Sequence, residues 1–251
     1  MHDAHSPSLN GKAPLSAPER EPAFGIPLAI EQIDTVLRLL SAGGRQIRRF
    51  FDLGRNDGVL SATILSEYPH AEGVVIEREE RPLQTARGHL HAHASQLDFT
   101  LADIRSPEWV GYLSDREPFD AVVAGFAAQD LLPRRKRELC AEILQLLNPG
   151  GVFVLIEHVA SATRWTEEIL DDYMIQAVFG EQLRKSVGKP RAQVARDFFA
   201  SDAGETFQTA PLEVQCDWLM EVGFQSVDCY LKVSEMAVFG GQKPGAPNPT
   251  P

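Results

Sequence analysis

The segment Arg49-Phe50-Phe51-Asp52-Leu53-Gly54-Arg55-Asn56-Asp57-Gly58-Val59-Leu60 constrains the fold more than any other. An apolar run reads as a buried strand, and it feeds a turn with glycine at both ends. The residues after Gly58 then open a helix. Glycine lets a backbone approach a ligand without an intervening Cβ, and Asn56 is one of the few other residues that tolerate a left-handed conformation. Glu77 follows Gly58 by nineteen residues, at the end of a second apolar run, Val74-Val75-Ile76. An acid about 20 residues beyond a glycine-bearing turn has the spacing of a ribose-binding carboxylate. The residues therefore point to a nucleotide at this turn.

The alternation then repeats. An amphipathic helix from Ile26 to Leu40 precedes the first strand, and a helix from about Val59 to Tyr68 follows the turn. After the Glu77 strand comes a helix starting near Arg81-Pro82, then a strand from Phe99 to Ile104. A strand over Phe119 to Gly125 leads into a helix over Arg134 to Leu147, with Leu139, Ile143, Leu144 and Leu147 on one face. Asn148-Pro149-Gly150-Gly151 reads as a stop and turn before a last apolar strand, Val152 to His158. Repeated βα units predict an α/β, doubly wound and mostly parallel sheet covered on both faces. In such sheets ligands bind at the carboxyl ends of the strands, where strand order reverses. Asp52, Glu77, Asp103-Ile104, Gly125-Phe126 and Glu157-His158 are the residues at those ends.

Composition narrows the function classes. The chain has 251 residues, 43% of them hydrophobic, enough for one large domain with a substantial core. A net charge of -11 disfavours a broad grip on nucleic acid, which needs clustered cations. Arg134-Arg135-Lys136-Arg137 is the one dense basic run, and its pattern reads as a solvated helix start. Cys140, Cys216 and Cys229 have neither metal-like spacing nor an even count, which suits a reducing cytoplasm. His89, His91 and His93 lack a carboxylate that would complete a metal set, and no metal site is expected. No apolar run is long enough to span a bilayer and no signal-peptide core is visible, so no membrane partner is expected. Residues 1–23 and 244–251 read as unstructured tails flanking a domain over 24–243.

Taken in order, Asp52-Leu53-Gly54-x-x-x-Gly58, Glu77, Asp103, Phe119-Asp120-Ala121-Val122-Val123 and Leu147-Asn148-Pro149-Gly150-Gly151-Val152 resemble the class I S-adenosylmethionine-dependent methyltransferases. The resemblance covers residues 46–158 and resumes at Trp218-Leu219-x-x-x-Gly223-Phe224-x-x-Val227-Asp228 and Ala237-Val238-Phe239-Gly240-Gly241. It implies a Rossmann-like, seven-stranded sheet closed by a helix and an antiparallel hairpin. The layout is similar to the small-molecule branch with a helical insertion after strand five, here about residues 159–210. Carboxy-S-adenosylmethionine synthases, which serve tRNA wobble modification, share a broadly similar layout.

The resemblance assigns roles residue by residue. Gly54, Asn56 and Gly58 would line the methionine part of S-adenosyl-L-methionine, with S-adenosyl-L-homocysteine as product, and Asp52 would hold the loop or the amino group. Glu77 would accept from both ribose hydroxyls. Asp103 would bond the adenine amino group beside Ile104, while Gly125 and Phe126 flank the methionine side. The family's middle glycine is Asn56 here, with Arg55 and Asp57 around it, and their side chains are expected to crowd the ligand. Ala128-Gln129-Asp130-Leu131 stands where related enzymes often carry histidines. His158 is then the best-placed base for a hydroxyl acceptor, with Asp130 and Tyr173 behind it.

The run from Trp165 to Phe179 carries more apolar surface than one helix on a sheet needs, which suits a lid or a homodimer contact. Residues 182–208 read as a basic helical flap. Methyl transfer to a small-molecule acceptor is the leading reading. A non-catalytic nucleotide-binding scaffold and a tRNA-modifying enzyme of the carboxy-S-adenosylmethionine type remain the alternatives.

Overall fold

Strands form where consecutive apolar residues can be buried on both faces of one sheet, and neighbouring positions in β1 (Arg49–Leu53) point into two different cores. Phe51 and Leu53 face one side and Phe50 the other. The computed structural model of the protein describes residues 29–54, 57–116, 118–184, 188–203 and 209–245. The expected 1–23 tail, residues 26–28 of the first helix and most of the final tail lie outside these residues.

The remaining strands are β2 (Glu72–Glu77), β3 (Leu97–Leu101), β4 (Phe119–Gly125), β5 (Leu147–His158), β6 (Gln225–Val233) and β7 (Met236–Gln242). They form one sheet in the order β3-β2-β1-β4-β5-β7-β6. The first five are parallel, and β7 runs antiparallel to both β5 and β6. The chain moves outward from β1 to β3, then returns to place β4 on the other side of β1. Strand order therefore reverses between β1 and β4, where an open α/β sheet leaves a crevice for a ligand.

Helices α1 (Ala29–Ser41), α2 (Val59–Glu67) and α3 (Glu80–His89) supply one core with Ile33, Leu40, Ile64 and Ala86. Helices α4 (Pro133–Leu146) and α7 (Leu212–Val222) supply the other with Leu139, Ile143 and Leu219. In that second core Phe51 lies 4.9 Å from the Phe119 ring, edge to face, and 5.8 Å from Trp109. Such geometry adds to area burial because each ring edge meets a neighbouring π-face.

Three local expectations are corrected. β3 ends at Leu101 rather than Ile104, because the Asp103 carboxylate accepts the Arg105 N–H at 3.0 Å and turns the chain out of the sheet. Asn148-Pro149-Gly150-Gly151 does not precede β5 but sits within it as a bulge, since Phe119 pairs with Leu147 and Ala121 with Val152. Asn148 Nδ2 donates to Asp120 there, at 2.7 Å. The basic run Arg134 to Arg137 is solvated only at its two ends, where Arg134 and Arg137 are exposed. Arg135 and Lys136 are buried at 9% and 3% exposure, because α4 turns them toward the sheet.

The insertion after β5 consists of α5 (Arg164–Arg184) and α6 (Arg191–Ala203). Its two ends are tied where Ala160 N–H donates to the Ala210 carbonyl at 3.0 Å. Lys189 pairs with Asp197 at 2.9 Å and Arg191 with Asp172, so two of its cations are used internally. Lys185 and the Phe198-Phe199 side chains lie outside the described residues.

Candidate functional site

At the end of β1 the chain enters the turn through Asp52, which is fully buried. Its Oδ2 accepts from the Ser61 hydroxyl at 2.7 Å and the Ser61 N–H at 3.2 Å, tying the strand end to the first turn of α2. Asp57 and Gly58 both take left-handed backbone angles, φ +51° and +82°. A Cβ at Gly58 would meet Leu90 Cδ1 at 2.5 Å, so this position requires glycine on two counts. Arg55 and Asn56, whose side chains were expected to crowd the ligand, lie outside the described residues.

Gly54 is the closer approach. Its N–H donates to the Ile76 carbonyl at 2.9 Å, joining β1 to β2. A Cβ at Gly54 would lie 2.1 Å from the Glu77 carboxyl carbon. Glu77, only 4% exposed, thus occupies the space that any other residue at 54 would take. A cleft opens here at the strand-order reversal, with Gly54 and Glu77 as its polar floor and Pro82, Ala102 and Ile104 as an apolar wall. Leu53, Ile76, Arg78, Glu79 and Ala127 complete the lining. A buried carboxylate beside a bare backbone and an apolar wall suits a nucleoside, whose sugar needs acceptors and whose base needs a dry face.

The wall is held from behind. Arg135 Nε donates to the Ile104 carbonyl at 2.8 Å, while its guanidinium makes two bonds of 2.7 Å to Glu142. Trp109 Nε1 donates to the same carboxylate at 2.6 Å. These residues, dispersed along the chain, gave no local signal of being one network. Asp103 is not part of the cleft lining. Arg105 grips its carboxylate through bonds of 2.9 and 2.6 Å, and that pairing holds its carboxyl below the usual carboxylate range.

Past β4, Phe126 has φ +56° and its N–H donates to the Ile156 carbonyl at 2.8 Å. Gly125 and Phe126 thus sit at the reversal point but do not line the cleft. Asp130 is paired with Arg78. His158 Nε2 lies 3.1 Å from Glu235 Oε2, in the turn between β6 and β7. Burial pushes the Glu235 carboxyl up, but the bond with His158 and neighbouring groups outweigh it and leave it below its ordinary value. Tyr173 is 57% exposed on α5 and is not brought to the cleft. Sequence reading missed Arg78 and Glu235; the position of Arg78, directly after Glu77 at a strand end, was the available signal for the first.

Glu157, fully buried beside His158, accepts the Ala128 N–H at 2.9 Å. Burial pushes its carboxyl up to about 7, against the opposing pull of Lys136 and the Ala128 N–H. Its Oε2 and the Lys136 Nζ are buried without a hydrogen-bond partner. Burial likewise pushes the Cys140 thiol up to about 12, and all three cysteines are free. His89 and His91 bond the carbonyls of Asp57 and Gly88 at 3.1 and 3.0 Å. Among the described residues no group of three or more His, Cys, Asp or Glu side chains is arranged to hold a metal. No described helix is long and apolar enough to cross a membrane.

Comparison with known proteins bears on the fold and the family likeness. Residues 50–151 match the family model described as a methyltransferase domain. A carboxy-S-adenosyl-L-methionine synthase from Campylobacter concisus is 30% identical over 123 residues, covering 47% of this chain and 44% of the relative. The chain spans about half the length of the curated relatives it first matches. Among solved structures, an O-methyltransferase family protein from Burkholderia thailandensis superposes with a TM-score of 0.60 at 16% identity, over 88% of this chain and 57% of the other. The N-methyltransferase NodS from Bradyrhizobium japonicum WM9, in complex with S-adenosyl-L-homocysteine, gives 0.55 at 16% identity, over 87% and 88%. Residues 50–151 are therefore similar to a methyltransferase domain, and the chain has the fold of the solved methyltransferases on which it superposes.

Proposed function

We propose that the protein transfers a methyl group from S-adenosyl-L-methionine to a small-molecule acceptor. The observation that carries this reading is the packing of Glu77 on Gly54 at the strand-order reversal, with Pro82, Ala102 and Ile104 opposite. The residues fit the cofactor, because the floor offers a carboxylate to a ribose and the wall offers an apolar surface to a base. When bound, the cofactor supplies an electrophilic methyl group on a sulfonium.

The chain's own contribution is positioning. Glu77 would accept from the ribose hydroxyls, and Ile104 and Ala102 would pack on the base, beside the bare backbone of Gly54. Holding an acceptor in line with the methyl group in a dry site accounts for much of the acceleration expected of such enzymes. For a hydroxyl acceptor, His158, oriented by Glu235, takes the proton. Asp52 holds the turn through Ser61, the first of the two roles expected of it.

The insertion supports a covering role. Trp165, Ile169 and Tyr173 are exposed at 72%, 47% and 57% and recur every fourth residue, which places them on one face of α5. We read this stripe as the contact of a homodimer, testable by sedimentation of the wild type against a Trp165→Glu variant. Three free cysteines support a reducing, cytoplasmic setting.

S-adenosyl-L-homocysteine tests the main reading. At about 100 times its Kd it should stabilise the fold by about 2.7 kcal/mol. No thermal shift at millimolar ligand would remove the reading. A second reading, formation of a carboxylated S-adenosylmethionine, is favoured by the curated relatives of that name. A cofactor product heavier by a carboxyl group, seen by mass spectrometry, would select it over methyl transfer.

A further inference from the structure

We propose that Arg78 and Asp130 form a latch across the cleft, which opens to admit the nucleoside and thereby releases Asp130 toward the acceptor side. The inference rests on reading the cleft as the cofactor site.

Arg78 directly follows Glu77 at the end of β2, and Asp130 lies in the connection from β4 to α4. β1 runs between those two strands. An ion pair joining residues 52 positions apart therefore reaches over the end of β1, where Gly54 opens the turn. Arg78 also lines the cleft that Gly54, Glu77 and Ile104 form. With the pair closed, the cleft encloses about 60 Å³. Small-molecule sites usually hold roughly 300 Å³ or more. A nucleoside needs more room than the cleft offers with the guanidinium in its lining.

The latch is weak enough to open. The two side chains are 25% and 23% exposed, so water still reaches both charges and can solvate them when they part. Arg78 already has a second partner toward solvent, Glu79 Oε1 at 3.3 Å. Moving onto Glu79, which lines the same cleft but is 63% exposed, keeps the guanidinium paired while shifting it toward solvent. The freed Asp130 carboxylate then stands beside the segment that Ala128 N–H fastens to Glu157, next in sequence to His158. Nucleoside entry and exposure of an acid on the acceptor side become one event, which imposes an order of binding: cofactor first, acceptor second.

Stopped-flow association of S-adenosyl-L-homocysteine with the full chain tests this, using wild type, Arg78→Gln, Asp130→Asn and the double variant, each checked for folding by circular dichroism. An open fraction of about one tenth in the wild type corresponds to association about tenfold faster in either single variant. The double variant should be no faster than the singles. Raising salt should speed the wild type and leave the variants unchanged, because screening weakens only an intact pair. Variants that bind at the wild-type rate, with the wild type's salt response, would overturn the latch and leave the cofactor reading standing. Absence of binding in all four proteins would remove the cofactor reading, and the latch with it.

Discussion

The Glu77 carboxylate lies so close over Gly54 that a methyl group on residue 54 would be 2.1 Å from its carboxyl carbon. The residue after β1 and the last residue of β2 thus share a single volume, and the cleft floor depends on both. Gly54→Ala is expected to push the Glu77 side chain into the cleft, costing about 1–3 kcal/mol of stability. S-adenosyl-L-homocysteine affinity should fall more than tenfold, read by calorimetry. Adding Glu77→Ala should restore the stability but not the affinity, which separates crowding from loss of the acceptor.

Arg135 is expected to matter for stability far beyond its place in a basic run. It joins the Ile104 carbonyl to Glu142, and Trp109 shares that carboxylate. Arg135→Ala strands a largely buried charge and should cost about 3–5 kcal/mol in urea unfolding. Arg134→Ala, by contrast, removes a side chain that is 91% exposed, and its midpoint should stay near that of the wild type.

Glu157 should make stability fall as pH rises. Its ordinary carboxyl value is 4.5, and burial lifts it to about 7 in the fold. Below 4.5 both states hold the proton and the group contributes nothing. Between those values the unfolded chain releases a proton that the fold keeps, so stability declines with rising pH and levels off above about 7. The full penalty is on the order of 3 kcal/mol. Glu157→Gln keeps an acceptor for the Ala128 N–H and should flatten this slope, with a melting temperature above wild type at pH 8. Equal slopes in the two proteins would show that Glu157 does not titrate in this window.

His158 and Glu235 are expected to act on turnover rather than on cofactor binding. With a hydroxyl acceptor, His158→Ala should lower kcat by about 10²-fold or more, while the S-adenosyl-L-homocysteine Kd stays within about twofold. Glu235→Gln keeps the hydrogen-bonding shape and should give a smaller loss of the same kind. A Kd that moves as much as kcat would assign the pair to binding instead.

The closing helix and hairpin followed from the family resemblance, whereas the sequence by itself determined the βα alternation and the two glycines of the turn. Each is a local property: apolar periodicity, a turn that demands left-handed angles, or a strand end marked by a carboxylate. Glu77, the last residue of β2, was legible as a strand end for that reason. Tertiary structure decided what local pattern cannot carry. Strand order placed β4 beside β1, so Arg78 and Asp130, 52 residues apart, meet over the cleft, and the hairpin turn brought Glu235 to His158 across 77 residues. The basic run misled because charge pattern is read along the chain, whereas burial of Arg135 and Lys136 is set by the face α4 turns to the sheet. Long-range ion pairs depend on which elements become neighbours, and that is settled only when the two cores pack.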